Sequence, residues 1–190
     1  LMRRLGITFD ASGYIMFDPR MTLDEVRINA RYLSRFGAAT WDFFVTRLQL
    51  YPGTVIREEM IAKGFFASAE DIGRTSGYTF EDPRVGEVAE HAWYYDMSIR
   101  ELDLLLRDAK ALLANATRNR QEPPAPVNNA VALVHETYCL HLLSLVDSAA
   151  AGRIRAEAPD LIARFIRRVN VLTNLLHDVL TLCAGHRESV

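Results

Sequence analysis

Apolar positions along this chain follow two different rhythms, and the change comes near the middle. In the first sixty-four residues, short apolar runs alternate with helical spacings. Gly13-Tyr14-Ile15-Met16-Phe17 is such a run. Asp18-Pro19 stops it, because proline donates no ladder hydrogen bond and favours an extended neighbour. Thr22 then opens a helix with Glu25 three residues on, the capping-box pair in which each side chain satisfies the other's backbone N–H. Leu23, Val26, Ala30 and Leu33 supply its buried stripe, and Gly37 ends it. Trp41 to Tyr51, rich in aromatic and β-branched residues, reads as a second strand closed by Pro52-Gly53. Val55 to Lys63 reads as a short helix stopped by Gly64. Strand–helix–strand at this spacing predicts a right-handed parallel crossover. Two strands make no stable sheet, so their unpaired edges should recruit further strands or a second copy of the chain.

Residues 65–97 read as an ordered connector. Glycines at 73, 77 and 86 and the pair Asp82-Pro83 break it up, with one strand expected at Tyr78-Thr79-Phe80. From Ser98 the spacing is helical to the end. Ser98 and Glu101 form a second capping box, and Ile99, Leu102, Leu105, Leu106, Ala109, Leu112 and Leu113 form the stripe behind it. Pro123, Pro124 and Pro126 make Gln121 to Val127 a stiff extended link. Val131 to Ala151 is the next helix, ended by Gly152. Pro159 suits a first helical turn, and the stripe Ile162, Phe165, Val169, Leu172, Leu176, Val179 and Cys183 follows at strict three-four spacing. The expected fold class is thus α/β followed by all-α, with residues 98–190 a bundle of at least three helices.

Composition narrows the picture without naming a chemistry. Apolar residues make up 49% and charged ones 24% of the 190 residues, the balance of a soluble globular protein. A net charge of −2 gives no field for nucleic acid or an anionic membrane surface, so neither is expected as a partner. Arg27, Arg31 and Arg35 share a helix face, but Asp24 precedes them and no aromatics interleave, the pattern of a solvated surface. No apolar run nears eighteen residues, and the N-terminal stretch, starting at Leu1, lacks a signal-peptide core. Cys139 and Cys183 are the two cysteines, and both sit in helical apolar stretches, which points to a reduced, cytoplasmic setting.

His135 and Cys139, four apart on one helix face, have the spacing of a metal pair. His141 lies about 120° around the helix from Cys139, and no second motif supplies a third ligand, so packing accounts for them better. His91, Trp93, Tyr94 and Tyr95 cluster just before the bundle, where they can cover a pocket or join the two halves. No Ser/His/Asp spacing, phosphate-cradling glycine loop or paired carboxylates stand out.

The informative stretches are Gly13 to Thr22 and Tyr51-Pro52-Gly53-Thr54. Gly-x-Ile-x-Phe-Asp-Pro running into a Thr-capped helix, then Pro-Gly-Thr about thirty residues on and a short helix ending in Lys-Gly, resembles the cobalamin-binding branch of the radical SAM enzymes. The resemblance spans roughly residues 1–80. It implies that residues 1–64 are the last βαβα part of a partial (β/α) barrel, TIM-like in kind, and that residues 98–190 are its helical C-terminal region. It implies S-adenosylmethionine as cofactor, with Gly13 letting the backbone approach the adenine and Ile15 packing on its face. Gln49 and Tyr51, at the end of the next strand, would face the cofactor too. Phe17 and Arg20 stand where the family's adenine-side strand has glycine and glutamate. A [4Fe–4S] cluster and cobalamin are implied as well, yet the Cys-x-x-x-Cys-x-x-Cys loop and the Asp-x-His-x-x-Gly signature that serve them do not occur here. The function implied is part of an enzyme that cleaves S-adenosylmethionine reductively and functionalises an unreactive carbon of a small-molecule substrate, for example by methylation. Its remaining barrel strands would come from the same gene product or a separate chain. The alternative is a non-catalytic helical module that completes another chain's barrel.

Overall fold

Thr22 caps the first helix as its spacing requires. Its backbone N–H donates to Glu25 Oε2 at 2.8 Å, and the Glu25 N–H donates back to Thr22 Oγ1 at 3.3 Å. The computed structural model describes residues 14–36, 40–66, 68–74, 76–93 and 97–185. Helix α1 (Leu23–Phe36) buries Leu23, Val26, Ala30 and Leu33. Gly13 and Gly37, the expected start of the first strand and end of this helix, lie outside the described residues.

Among the described residues the expected α/β half is not there. Residues 16–17 and 46–48 meet in a single parallel bridge, Phe17 opposite Arg47, and Phe66 meets Tyr78 in a single antiparallel one. No longer ladder occurs among the described residues, so the partial (β/α) barrel is corrected to an all-helical fold. The main error lies at Trp41 to Tyr51. Its first part is helix α2 (Trp41–Val45), with Trp41, Phe44 and Val45 buried. Those three positions share one helical face, and burying them together in an aromatic core outweighs their preference for a strand. The Tyr78 to Phe80 stretch is likewise extended chain with one bridge.

Three short helices follow: α3 (Val55–Ala62), α4 (Ala69–Ile72) and α5 (Pro83–Ala92). A turn with Gly53 at φ +80° precedes α3, a conformation glycine adopts without strain. Asp82 caps α5 by accepting the Arg84 backbone N–H at 3.0 Å, with Pro83 in the first turn.

The second half is a bundle of three long helices, α6 (Met97–Arg118), α7 (Ala125–Ala150) and α8 (Ile154–Gly185). Helix α7 begins earlier than the proline-rich link suggested, because Pro126 falls in its first turn, where a missing N–H costs nothing. Gly152, at φ +69°, makes the tight turn into α8. Helix α8 packs along both α6 and α7, while α1, α2 and α5 pack on α7. Apolar residues of all these helices belong to one continuous core. Arg27 ties α1 to α7 by donating to Asp147 at 3.0 Å, and Arg155 ties α8 to α5 through Glu87 at 2.8 Å. No helix among the described residues is long and apolar enough to cross a membrane.

Candidate functional site

Phe17, in the first stretch that carries the family resemblance, meets Arg47, in the segment leading into the second, at the parallel bridge. Met16 and Phe17 N–H groups both donate to the Thr46 carbonyl at 3.0 Å, and the Leu48 N–H donates to the Phe17 carbonyl at 2.8 Å. Side chains alternate from Leu48 to Tyr51, Leu50 being fully buried and Leu48 packed against the core, while the neighbours Met16 and Phe17 are both fully buried. Between and beyond them, Ile15 is 40% exposed, Gln49 is exposed and Tyr51 is 57% exposed. Three of the four residues expected to face a cofactor therefore lie on the outer side. Gln49 and Tyr51 are brought together, the Tyr51 hydroxyl donating to Gln49 Oε1 at 2.8 Å. Gly13, the fourth, lies outside the described residues.

Two buried polar groups brace this segment and the helix α2 before it. Arg57 on α3 is buried and donates to the carbonyls of Leu50 and Ile72, with its guanidinium 5.6 Å from the centre of the Phe66 ring. Asp103 on α6 is 2% exposed, and both its carboxylate oxygens accept the Trp41 backbone N–H at 3.1 Å. It thereby caps α2, while Oδ1 also accepts the Tyr138 hydroxyl at 2.9 Å. Burial pushes the Asp103 carboxyl up to about 6, against the two hydrogen bonds that favour its ionised form. Lys110, two turns along α6, is pulled down to about 8 by burial.

Behind α2 the core is aromatic. Trp41 lies within 6 Å, ring centre to ring centre, of Phe44, Tyr138, His141 and Phe165. His141 stacks on Phe165 at 4.0 Å with parallel rings, and burial lowers its pKa to about 3, so the imidazole is neutral. His135 and Cys139 are buried on the same helix, and burial raises the Cys139 thiol. No group of three or more His, Cys, Asp or Glu side chains able to hold a metal ion occurs among the described residues.

An open cleft of about 620 Å³ lies between the C-terminal ends of α2 and α5. Asp42, Val45 and Thr46 line it from α2 and its cap, Arg47 and Gln49 from the extended segment, and Glu90 and Trp93 from α5 and its cap. Arg47 sits 5.6 Å over the Phe80 ring, and its buried Nε has no hydrogen-bond partner among the described residues. Burial lowers its pKa, offset in part by Tyr78 and Glu90. Of the expected site residues only Gln49 lines this cleft.

Comparison with protein-family models, curated proteins and solved structures gives no match for this chain. The radical SAM, cobalamin and iron–sulfur expectations thus find no support there, and the TIM-like barrel is overturned by the helical fold. The implied cluster does not fit these residues either: Cys139 is buried, Cys183 half-buried, and no third thiol exists. Asp103, Arg57 and Arg47 had not been singled out from sequence. For Asp103 the signal was present, since it stands four residues after Ile99 and three before Leu106, a charge on a buried helix face.

Proposed function

We propose that this chain supplies the S-adenosylmethionine-facing segment of a cobalamin-dependent radical SAM enzyme, in a cytoplasmic, reducing setting that leaves its two cysteines free. One observation carries the reading. The first motif and the segment leading into the second, expected to run side by side in parallel, meet in that sense at the Phe17–Arg47 bridge, with Ile15, Gln49 and Tyr51 exposed. In such an enzyme, reductive cleavage of S-adenosylmethionine produces a radical that takes hydrogen from an unreactive carbon, with methylation a frequent outcome. Here the chain's own contribution is positional. Ile15 offers an apolar surface for a planar base, Gln49 a side-chain amide, and Tyr51 a ring whose hydroxyl is already held. Arg57 holds that segment from behind at Leu50, and Asp103 holds the helix before it at Trp41. The electron-delivering cluster must be held by other residues, and no step through it is assigned to this chain.

A second reading is a helical module that joins another polypeptide without taking part in chemistry. Its support is the helical fold itself. Anaerobic iron–sulfur reconstitution followed by a 5′-deoxyadenosine assay tests the proposal. The chain alone should hold no cluster and form no product, and turnover should appear only in complex with a polypeptide bearing the three-cysteine loop. Cluster-dependent turnover by the isolated chain contradicts the proposed division of labour. A complex that turns over equally well with Gln49 and Tyr51 replaced by alanine favours the second reading.

A further inference from the structure

Helix α8 carries two stripes, and the bundle buries only one of them. Phe165, Val169, Leu172 and Leu176 face the core. A second row, Arg164, Arg168, Val171, Leu175, Asp178 and Leu182, runs along the outside at alternating spacings of four and three residues. All six are exposed, Val171 and Leu182 each by 66% and Leu175 by 39%. Alternating four-three spacing is the heptad rhythm that keeps one seam of a helix turned towards a partner helix. Water is a poor neighbour for its three aliphatic side chains, and a second helix laid along the row would cover them.

The charges on the row select that helix. Its positions are symmetric about Thr173, so an antiparallel copy of α8 sets Val171 against Leu175, Arg168 against Asp178 and Arg164 against Leu182, each pair occurring twice. In this register every position of the row has a counterpart. The centre is apolar, an opposite-charge pair flanks it on either side, and an arginine stem covers a leucine at each end. A parallel copy instead sets Arg168 on Arg168 and Asp178 on Asp178, which repel. Neither charge is answered well within the chain. Among the described residues Arg168 makes no ion pair, and Asp178 has only the adjacent His177, 3.8 Å away, which answers it only when protonated. Arg164 donates to the Asp160 carbonyl of its own helix at 3.3 Å and pairs with no carboxylate on the row.

We propose that the chain forms a two-fold dimer through the outer row of α8, the two helices antiparallel and crossing at the level of Thr173. The inference goes beyond the proposed function and does not depend on it, since no residue of the row belongs to the segment of Ile15, Gln49 and Tyr51. Sedimentation of the full chain over a range of concentrations tests it, with circular dichroism to confirm that each variant keeps its helices. The parent should pass from monomer to dimer as concentration rises, and Leu175→Glu should stay monomeric. Asp178→Arg should weaken dimerisation about tenfold, because two attractive pairs become repulsive ones, and Arg168→Asp should do the same. The double variant Arg168→Asp/Asp178→Arg re-forms both pairs with the charges exchanged and should dimerise like the parent. All these positions are exposed, so the substitutions spare the core. A parent that remains monomeric at millimolar concentration overturns the proposal and leaves the row to a different partner. Dimers indifferent to Leu175→Glu, or a double variant no stronger than the single ones, overturn it as well.

Discussion

Asp103→Asn should change how stability responds to pH more than it changes stability itself. The parent carboxyl is 2% exposed and caps α2 while holding Tyr138, yet its pKa rises from 3.8 to about 6 because burial outweighs those bonds. A folded state that binds the proton more tightly than the unfolded chain is favoured at acid pH. The contribution is fully present below the unfolded value near 4 and is lost as pH rises through about 6. A rise of about two units corresponds to about 3 kcal/mol of stability lost across that window. Asparagine is neutral throughout, so the variant escapes that loss. Urea unfolding of both proteins at several values between about pH 4 and pH 7.5 gives the difference in stability at each. That difference should move in favour of Asp103→Asn by about 3 kcal/mol from the acid to the neutral end. His141 titrates in the opposite sense, but it is common to both proteins and drops out. Lys110, at about 8 and held up in part by the Asp103 charge, begins to titrate only at the alkaline end of this range, so the comparison rests on the points up to about pH 7. A flat difference, or one that moves towards the parent as pH rises, would refute the reasoning, because it would mean that the hydrogen bonds from Trp41 and Tyr138 outweigh burial.

Two further outcomes follow from the same interior. Arg57→Met should cost about 2–3 kcal/mol, since it strips the carbonyls of Leu50 and Ile72 of their buried donor, and amide exchange around residues 50–54 should accelerate. Unchanged melting and exchange would show those carbonyls to be solvated. His141, with a folded pKa of about 3 against 6.5 unfolded, contributes stability that is lost as pH falls below about 6.5. Its ring resonances should stay those of neutral imidazole down to about pH 5, and a midpoint near 6.5 would place the ring in water rather than against Phe165.

Local signals were legible wherever one short-range rule fixed the outcome. The Thr22–Glu25 pair starts α1 at the residue its spacing indicates, and the three-four stripe from Phe165 to Leu176 is buried in α8. Trp41 to Val45 was misread because residue type and spacing disagreed there. Aromatic and β-branched content says strand, while Trp41, Phe44 and Val45 at helical spacing say helix. Burial of those three side chains in the aromatic core outweighs the strand preference, and Asp103, sixty-two residues away, accepts the Trp41 N–H at the start of the helix. Pro126 misled in a milder way, since a proline is tolerated without cost in the first turn of a helix, which is where it stands. The family resemblance had Gln49 and Tyr51 facing a cofactor, and nothing in the sequence indicated that Glu90 and Trp93, forty residues on, would share a cleft with Gln49. Such a meeting depends on how α5 packs on α7, a tertiary matter that no local pattern carries.

The central claim is that Ile15, Gln49 and Tyr51 form the cofactor-facing side of this chain. Its most direct test is a nitrogen-15 correlation spectrum of the full chain titrated with S-adenosylmethionine. The account predicts saturable shifts concentrated at Ile15, Gln49 and Tyr51, with the outer faces of α7 and α8 unmoved. Shifts that gather on α7 and α8 instead, or none at any concentration, would contradict it.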